Sequence, residues 1–431
     1  MKPLLRKITV SIFVLLFLIL APLLTAYSLG YRYDFKTGNL QKNGAFYIKS
    51  YPKGADIYID SIKKRPKTPT QIVNVVPGAH KVEVVKNNYV PWVKNLEIHS
   101  GETTFAEDIV LFLADRQKTD LGVGSEQMLL NNAKDKYATL DKDNNLLITD
   151  ISQAITFNID VLDTNYNLVD FSDDNQNILL EKDKKYFSFN VDQKQLEAIP
   201  VDNVQKMLWE DNSNTLIYLK DNKLYRRQHR SALLSSGDPD QLLDIREYIN
   251  DFDILGSWLI IHYTFDKNNY VKQLDKHTLE LRQTVNNVNI ANLETLVADN
   301  DYLIFTLGTK LYIQNSFKDL ITIPITIVTL HDDRLLFTNG HEIILFNFKE
   351  DWQTLIDRSS NIVSDILWHP NGSYFISEID DRTILTEIDG RDRRNSIELL
   401  NYPRKKSYVF DKKGEKLFIV TPEENYYLSI Q

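Results

Sequence analysis

Phe171-SerAspAspAsnGlnAsn-Ile178LeuLeu, Trp209-GluAspAsnSerAsnThr-Leu216IleTyr, Trp368-HisProAsnGlySerTyr-Phe375Ile and Phe410-AspLysLysGlyGluLys-Leu417PheIle are four versions of one pattern. A large apolar residue closes one run, a polar stretch turns the chain, and a second apolar run starts seven residues after the first residue. Asn, Asp and Gly fill the turns because they accept left-handed backbone or bond local N–H groups, so the pattern predicts β-hairpins. Leu130 to Tyr137 and Phe252 to Leu259 keep the offset, and weaker units begin near Leu293 and Ile327, which makes eight units. Each unit continues through a polar turn into a further strand, such as LeuLeuIleThrAsp at 146–150, LysLeuTyrIle at 310–313 and TyrTyrLeuSerIle at 426–430. A spacing of about 40 residues is the length of a four-stranded propeller blade. The connections are too short for the helical crossovers that a parallel α/β fold needs. Residues 115–431 are therefore expected to form a β-propeller with eight blades, or seven if the compressed units near 293 and 327 merge. The last unit stops after its third strand, so a strand near Asp115 to Gly122 is expected to supply the fourth and remove an open edge.

The stretch 368–376 resembles the Trp-Ser-Pro-Asp-Gly turn of TolB-like and WD-repeat-like propellers. The resemblance implies that Phe171, Trp209, Trp368 and Phe410 pack between blades, while Pro370 and Gly372 shape a turn.

Residues 44–114 change character to short alternating runs broken by Pro and Gly. AlaPheTyrIleLysSer, AspIleTyrIleAsp, HisLysValGluValValLys and LysAsnLeuGluIleHis read as strands with one buried face. ProLysGlyAlaAspIleTyrIleAsp (52–60), LysThrProThr (67–70), ValProGlyAlaHisLysValGluVal (76–84) and AsnAsnTyrValPro (87–91) follow in order, and together they resemble a PEGA domain. Lys53 stands where that family has Glu, and Asn88 where it has Gly. The resemblance implies a small β-sandwich of prokaryotic envelope proteins without catalysis, in which Pro52, Gly54, Ala55, Thr68, Pro69, Pro77, Gly78, His80 and Tyr89 shape turns and fill the core.

Ahead of the sandwich, Lys2, Arg6 and Lys7 precede 24 uncharged residues from Ile8 to Tyr31. A helix of that length extends about 36 Å, enough for a hydrocarbon core of about 30 Å. The basic flank places the N-terminus in the cytoplasm and the remainder outside it. Residues 1–31 are thus expected to be a flank plus a retained signal-anchor in contact with the bilayer through residues 8–31, with 32–43 as a linker. Cleavage of a signal peptide at Ala26 or Gly30 is the alternative.

The chain has 431 residues and a net charge of −9, spread as +5 over 1–43, +2 over 44–114 and −16 over 115–431. An acidic body repels phosphate backbones, so nucleic acid is not an expected partner. The clusters Arg226/Arg227/Arg230 and Arg404/Lys405/Lys406 are expected to be solvated loop charge. With no cysteine, disulfides, thiolate metal sites and cysteine nucleophiles are excluded. No Gly-x-Ser-x-Gly, His-Glu-x-x-His or P-loop motif occurs. Ser61/Lys64 lie in a Lys-rich loop, and Asp141/Asp143/Asn145 copy the start of an EF-hand whose Gly and Glu positions hold Leu146 and Ser152, which makes them a hairpin turn. His369 and the pairs Asp173/Asp174, Asp332/Asp333 and Asp380/Asp381 are expected in turns. No catalytic, metal or cofactor residue is assigned. The expected function is a non-catalytic envelope binding or scaffold protein that recognises a protein or glycan through the propeller. The alternative is an envelope glycan hydrolase or lyase with acids at a propeller mouth.

Overall fold

A computed structural model describes residues 3–28, 30–33, 40–162, 165–210, 214–229, 240–242, 248–315, 318–403 and 406–431. Apart from the helix Pro3–Ser28, it is all β. The stretch Ile8–Ser28 is long and apolar enough to cross a membrane, and none of it is buried in protein. Within it Thr25 and Ser28 donate their hydroxyls to the carbonyls of Ala21 and Leu24, four residues back. That bonding satisfies these two hydroxyls in an apolar surround. The helix stops short of Tyr31: Gly30 takes a φ of +90°, and Tyr31–Tyr33 pairs as a strand with Leu40–Lys42. The apolar span expected to reach Tyr31 therefore ends at Ser28, because the left-handed Gly30 breaks the helical ladder.

Two compact units follow from the contacts. The first runs up to Arg116 and includes Glu387–Ser396 and Ile430–Gln431; the second comprises Gln117–Thr386 and Ile397–Ser429. In the first, a three-stranded sheet has Gly44–Tyr51 at its centre, antiparallel to Thr70–Val75 and parallel to Thr103–Val110. A four-stranded sheet runs in the order Ile62–Lys63, Asp56–Ile59, Gly78–Val85, Trp92–Ile98. Alternate side chains of both, among them Phe46, Ile48, Ile57, Val82, Val84 and Leu96, form one buried core. The strands Thr70–Val75 and Thr103–Val110 were not among the expected runs. Neither alternates cleanly: the first leaves most of its side chains partly or fully exposed, and the second carries a register shift opposite Ile48 to Ser50.

The second unit contains, among the described residues, eight four-stranded antiparallel sheets. Their first strands are Met128–Leu130, Asn167–Phe171, Lys206–Trp209, Tyr248–Leu255, Leu293–Ala298, Ile327–His331, Val363–Trp368 and Ser407–Phe410. Seven sheets are continuous in sequence. The eighth is completed by Lys118–Val123, which pairs with Glu424–Ser429 and so closes the edge that the last strand would otherwise expose. Apolar clusters bridge successive sheets: Phe171 and Ile178 pack with Ala138 and Leu146, and Trp209 and Leu216 with Leu179 and Tyr186. The eighth sheet packs on the first through Val409, Phe418 and Val420 against Tyr137 and Ile151. Such radial packing of four-stranded sheets is the architecture of a β-propeller.

The seven-residue offset is a register. Phe171 pairs with Ile178, Trp209 with Leu216, Trp368 with Phe375 and Phe410 with Leu417 across their hairpins. Phe252 departs from it and pairs with Ile261, because both strands run to a tight turn at Gly256 and Leu259 faces Ile254 instead.

Candidate functional site

The first strands of successive sheets are joined by carboxylates. Asp251 Oδ2 and Asp253 Oδ2 each accept a backbone N–H at 2.7 Å, from Leu293 and Thr295 on the next sheet, and Asp170 Oδ2 accepts that of Trp209 at 3.0 Å. The equal steps 251 to 293 and 253 to 295 mean that these first strands run parallel. Where no ladder joins neighbouring sheets, a short acidic side chain satisfies the exposed N–H groups. Burial pushes Asp170 up to about 7 and also raises Asp253 and Glu294, with Lys206 pulling the latter two down. Asp365 is raised to about 6, again chiefly by burial and partly by the negative Glu378 opposite it in the ladder. Both oxygens of Glu378 are occupied, Oε1 by Lys406 Nζ at 3.0 Å and Oε2 by the Tyr408 hydroxyl at 2.9 Å.

The paired acids do not gather at one mouth. Asp173/Asp174 and Asp332/Asp333 turn from a first to a second strand, whereas Asp380/Asp381 turn from a second to a third. Antiparallel order with parallel first strands puts those turns at opposite ends of the sheets. Asp141 accepts the N–H groups of Asp143 and Asn145 and the Asn145 amide, so this trio is a hairpin turn. Among the described residues, no group of three His, Asp or Glu side chains could hold a metal ion. Two cations expected to be solvated are not. Arg226, half-buried on the strand Lys223–Gln228, donates to Glu210 and to the Lys276 carbonyl, and Lys406 is buried with its ammonium on Glu378 and the Tyr402 carbonyl. Arg230, Arg404 and Lys405 lie outside the described residues.

The turn residues have these positions. Thr68 is buried, its hydroxyl accepting the Ala55 N–H at 3.0 Å and bonding the Ser50 hydroxyl at 2.7 Å. Gly54 takes a φ of +80° and donates to the Thr68 carbonyl. His80 ties its two ring nitrogens to Asp60 and to the Val76 carbonyl, around the turn that holds Pro77 and Gly78. Tyr89 bridges to Leu113 and lies against the core. Phe171, Trp209, Trp368 and Phe410 are all buried, and Trp368 Nε1 donates to the Thr329 carbonyl of the preceding sheet. Pro370 and Gly372 lie in the turn after that strand, with Gly372 at a φ of +69°. His369 in the same turn is 1% exposed and bonds Asn371 and the Gly414 carbonyl.

A feature that the sequence did not signal is a cleft of about 500 Å³ beside the closing strand. It is lined by loops around Ser125, Asp141, Tyr166 and Pro422. Three of these loops belong to or border the first two sheets, and ring closure brings the turn at Pro422 up to them.

Residues 43–108 match the family model described as PEGA domain. None of the curated proteins compared matches the chain. Among solved structures it is similar to the Dos1 propeller, with a TM-score of 0.50 and 14% identity over 73% of this chain and 93% of that one. BamB from Moraxella catarrhalis gives a TM-score of 0.44 at 10% identity, covering 72% and 99% of the two chains. The WD40 domain of SCAP from fission yeast gives 0.45 at 10%, covering 74% and 98%. At these identities the likeness is one of fold. The larger unit thus belongs to the class of β-propellers. The chain thus combines a match to the PEGA domain over residues 43–108, a propeller fold after it and, among the described residues, one N-terminal helix apolar enough to cross a membrane.

Proposed function

We propose that this protein is a non-catalytic binding or scaffold protein of the prokaryotic cell envelope, held at the cytoplasmic membrane by residues 8–28 and recognising an envelope protein or glycan through its propeller. The N-terminus lies in the cytoplasm, the helix is retained, and the body lies outside. The domain boundaries are a sandwich over 44–114 and a propeller over 115–431, in which the eight sheets are eight blades rather than seven and the turn residues named above serve structure. The observation that carries the reading is the use made of the half-buried and buried acids: Asp170, Asp251 and Asp253 cap backbone N–H groups, and Glu378 is taken up by Lys406 and Tyr408. Carboxyls committed in this way join neighbouring sheets, which is a structural use of these four acids rather than the acid and base pair that glycoside hydrolysis needs.

Crosslinking in native membranes, followed by purification with the helix intact, should retain an envelope protein or glycan, and recovery of the chain alone would contradict the reading. Protease added to spheroplasts should digest the body, and full protection would overturn the topology. A second reading, an envelope glycan hydrolase or lyase with acidic residues at a propeller mouth, draws on the high proton affinity of Asp170 near Asp253. It requires polysaccharide turnover by the full chain that Asp170→Asn abolishes.

A further inference from the structure

We propose that the cleft beside the closing strand is a binding site for a neutral saccharide. This rests on the binding role proposed above and gives it a place and a ligand class. Four loops build it. Residues 124–127 lead from the closing strand into Met128–Leu130, and 165–167 lead into and begin the strand Asn167–Phe171, while 141–144 and Pro422 lie in turns from a second to a third strand. Connections into a first strand and turns between second and third strands share one end of their sheets. Ring closure therefore makes one concave wall from three consecutive sheets, the eighth, the first and the second.

The frame is rigid because its polar groups are already spent. Ser125 donates to the Leu140 carbonyl, and Gln127 donates to the Tyr166 carbonyl at 3.1 Å while accepting the Leu168 N–H at 2.9 Å. Asp141 is occupied by its own turn, and Asn167 donates to Glu181. Gly124 lies so close to the turn at 421–424 that a Cβ would collide with the backbone of Thr421 and Glu424, so a bare main chain forms that part of the wall. Leu140, Tyr166 and Pro422 supply apolar surface.

Against this frame stand Glu126, Lys142, Asn144 and Asn165, whose side chains have no hydrogen-bond or ion-pair partner among the described residues. Asp141 keeps its charge while it accepts N–H bonds, so among the described residues the lining carries two carboxylates and one ammonium, and two amides each offer a donor and an acceptor. A ligand that meets this set carries no negative charge and presents adjacent donors and acceptors, which is the chemistry of the vicinal hydroxyl groups of a neutral saccharide. The chemistry argues against an anion, because among the described lining residues Glu126 and Asp141 outweigh the one cation, Lys142. A peptide is disfavoured too, since loop walls offer neither an open strand edge for augmentation nor a deep apolar pocket for an anchoring side chain.

The test uses the full chain in phosphatidylcholine nanodiscs on an array of neutral hexose, N-acetylhexosamine and uronic acid oligosaccharides, with titration calorimetry on those retained. Neutral oligosaccharides should bind and uronates should not. Affinity should fall tenfold or more in Lys142→Ala, in Asn165→Ala and in Asn144→Gly. Glycine is chosen for the last because Asn144 has a φ of +63°, which Gly accepts without strain. All three variants should melt where the parent does. Absence of neutral binding, or binding that the variants leave unchanged, overturns the cleft. A protein captured from native membranes and still held by the triple variant would refute this site while sparing the binding role. If neither glycan nor protein binds, both fall.

Discussion

Gly372 and Gly414 occupy equivalent turns of successive sheets, at φ of +69° and +73°, and each packs against a histidine of the preceding sheet. A Cβ on Gly372 would strike His331 and Arg334, and one on Gly414 would strike His369. Gly414→Ala should therefore cost more than the ~1–2 kcal/mol of left-handed backbone alone, since the ring of His369 must also move. Chemical denaturation measures this, and a loss below that range would mean that the turn relaxes. Protons report the interior in two opposed ways. Burial lowers His262 and His369 below their ordinary 6.5, so the folded chain binds those protons more weakly than the unfolded chain; that stability is full above 6.5 and is lost as pH falls. Asp170 has the other sign. Raised from 3.8 to about 7, it favours the folded state most below 3.8, and that contribution fades as pH climbs through 7. Asp170→Asn keeps an acceptor for the Trp209 N–H but cannot ionise. Its melting temperature should exceed the parent's by a few degrees at pH 8 and match it near pH 4. An equal difference at both pH values would refute the assigned cause.

Hairpins are the elements that make the propeller legible, because residue i and residue i+7 face each other whenever the turn between them holds a fixed number of residues. Where strands lengthen, as from Tyr248 to Phe265, the offset remains in the sequence but no longer names the partners. An element the sequence did not announce is the segment Glu387–Ser396, which belongs to the first unit. Lys94 is 1% exposed there, its Nζ 3.2 Å from Glu387 and 3.3 Å from Asp389, and Trp92 Nε1 donates to Glu387 at 2.9 Å. Removing one partner strands a buried ammonium. Glu387→Ala should destabilise by about 2–3 kcal/mol, somewhat under the full cost of breaking a buried pair because Asp389 remains. The double variant Lys94→Met with Glu387→Ala should recover most of the loss. Additive losses in that cycle would show that the pair is not coupled.

At the scale of the whole molecule, closure decides stability and solubility. Deleting Lys118–Val123 leaves the eighth sheet with three strands and bares the edge of Glu424–Ser429. Such a chain should melt lower and aggregate with rising concentration, since an unpaired edge templates pairing with another copy. Light scattering at two concentrations measures it, and an unchanged, monomeric variant would mean that the closing strand is dispensable. Closure also creates the cleft, because residues near 125 and 422 become neighbours only when the two ends of the propeller meet.

The sequence alone determined what depends on short-range pattern: the apolar helix, the turn chemistry of the sandwich, the repeat of about 40 residues and the need for a closing strand. Hydrophobic period and turn residues act over a few positions, so they can be read without knowing what packs against them. Only the tertiary structure decided that Arg226 is paired with Glu210 and Lys406 enclosed, that first-strand acids bond the neighbouring sheet, that Lys94 meets Glu387, and that four loops form one cleft. Each of these joins residues 15 to nearly 300 positions apart, and burial and charge pairing over such separations depend on which surfaces meet, which local sequence does not encode.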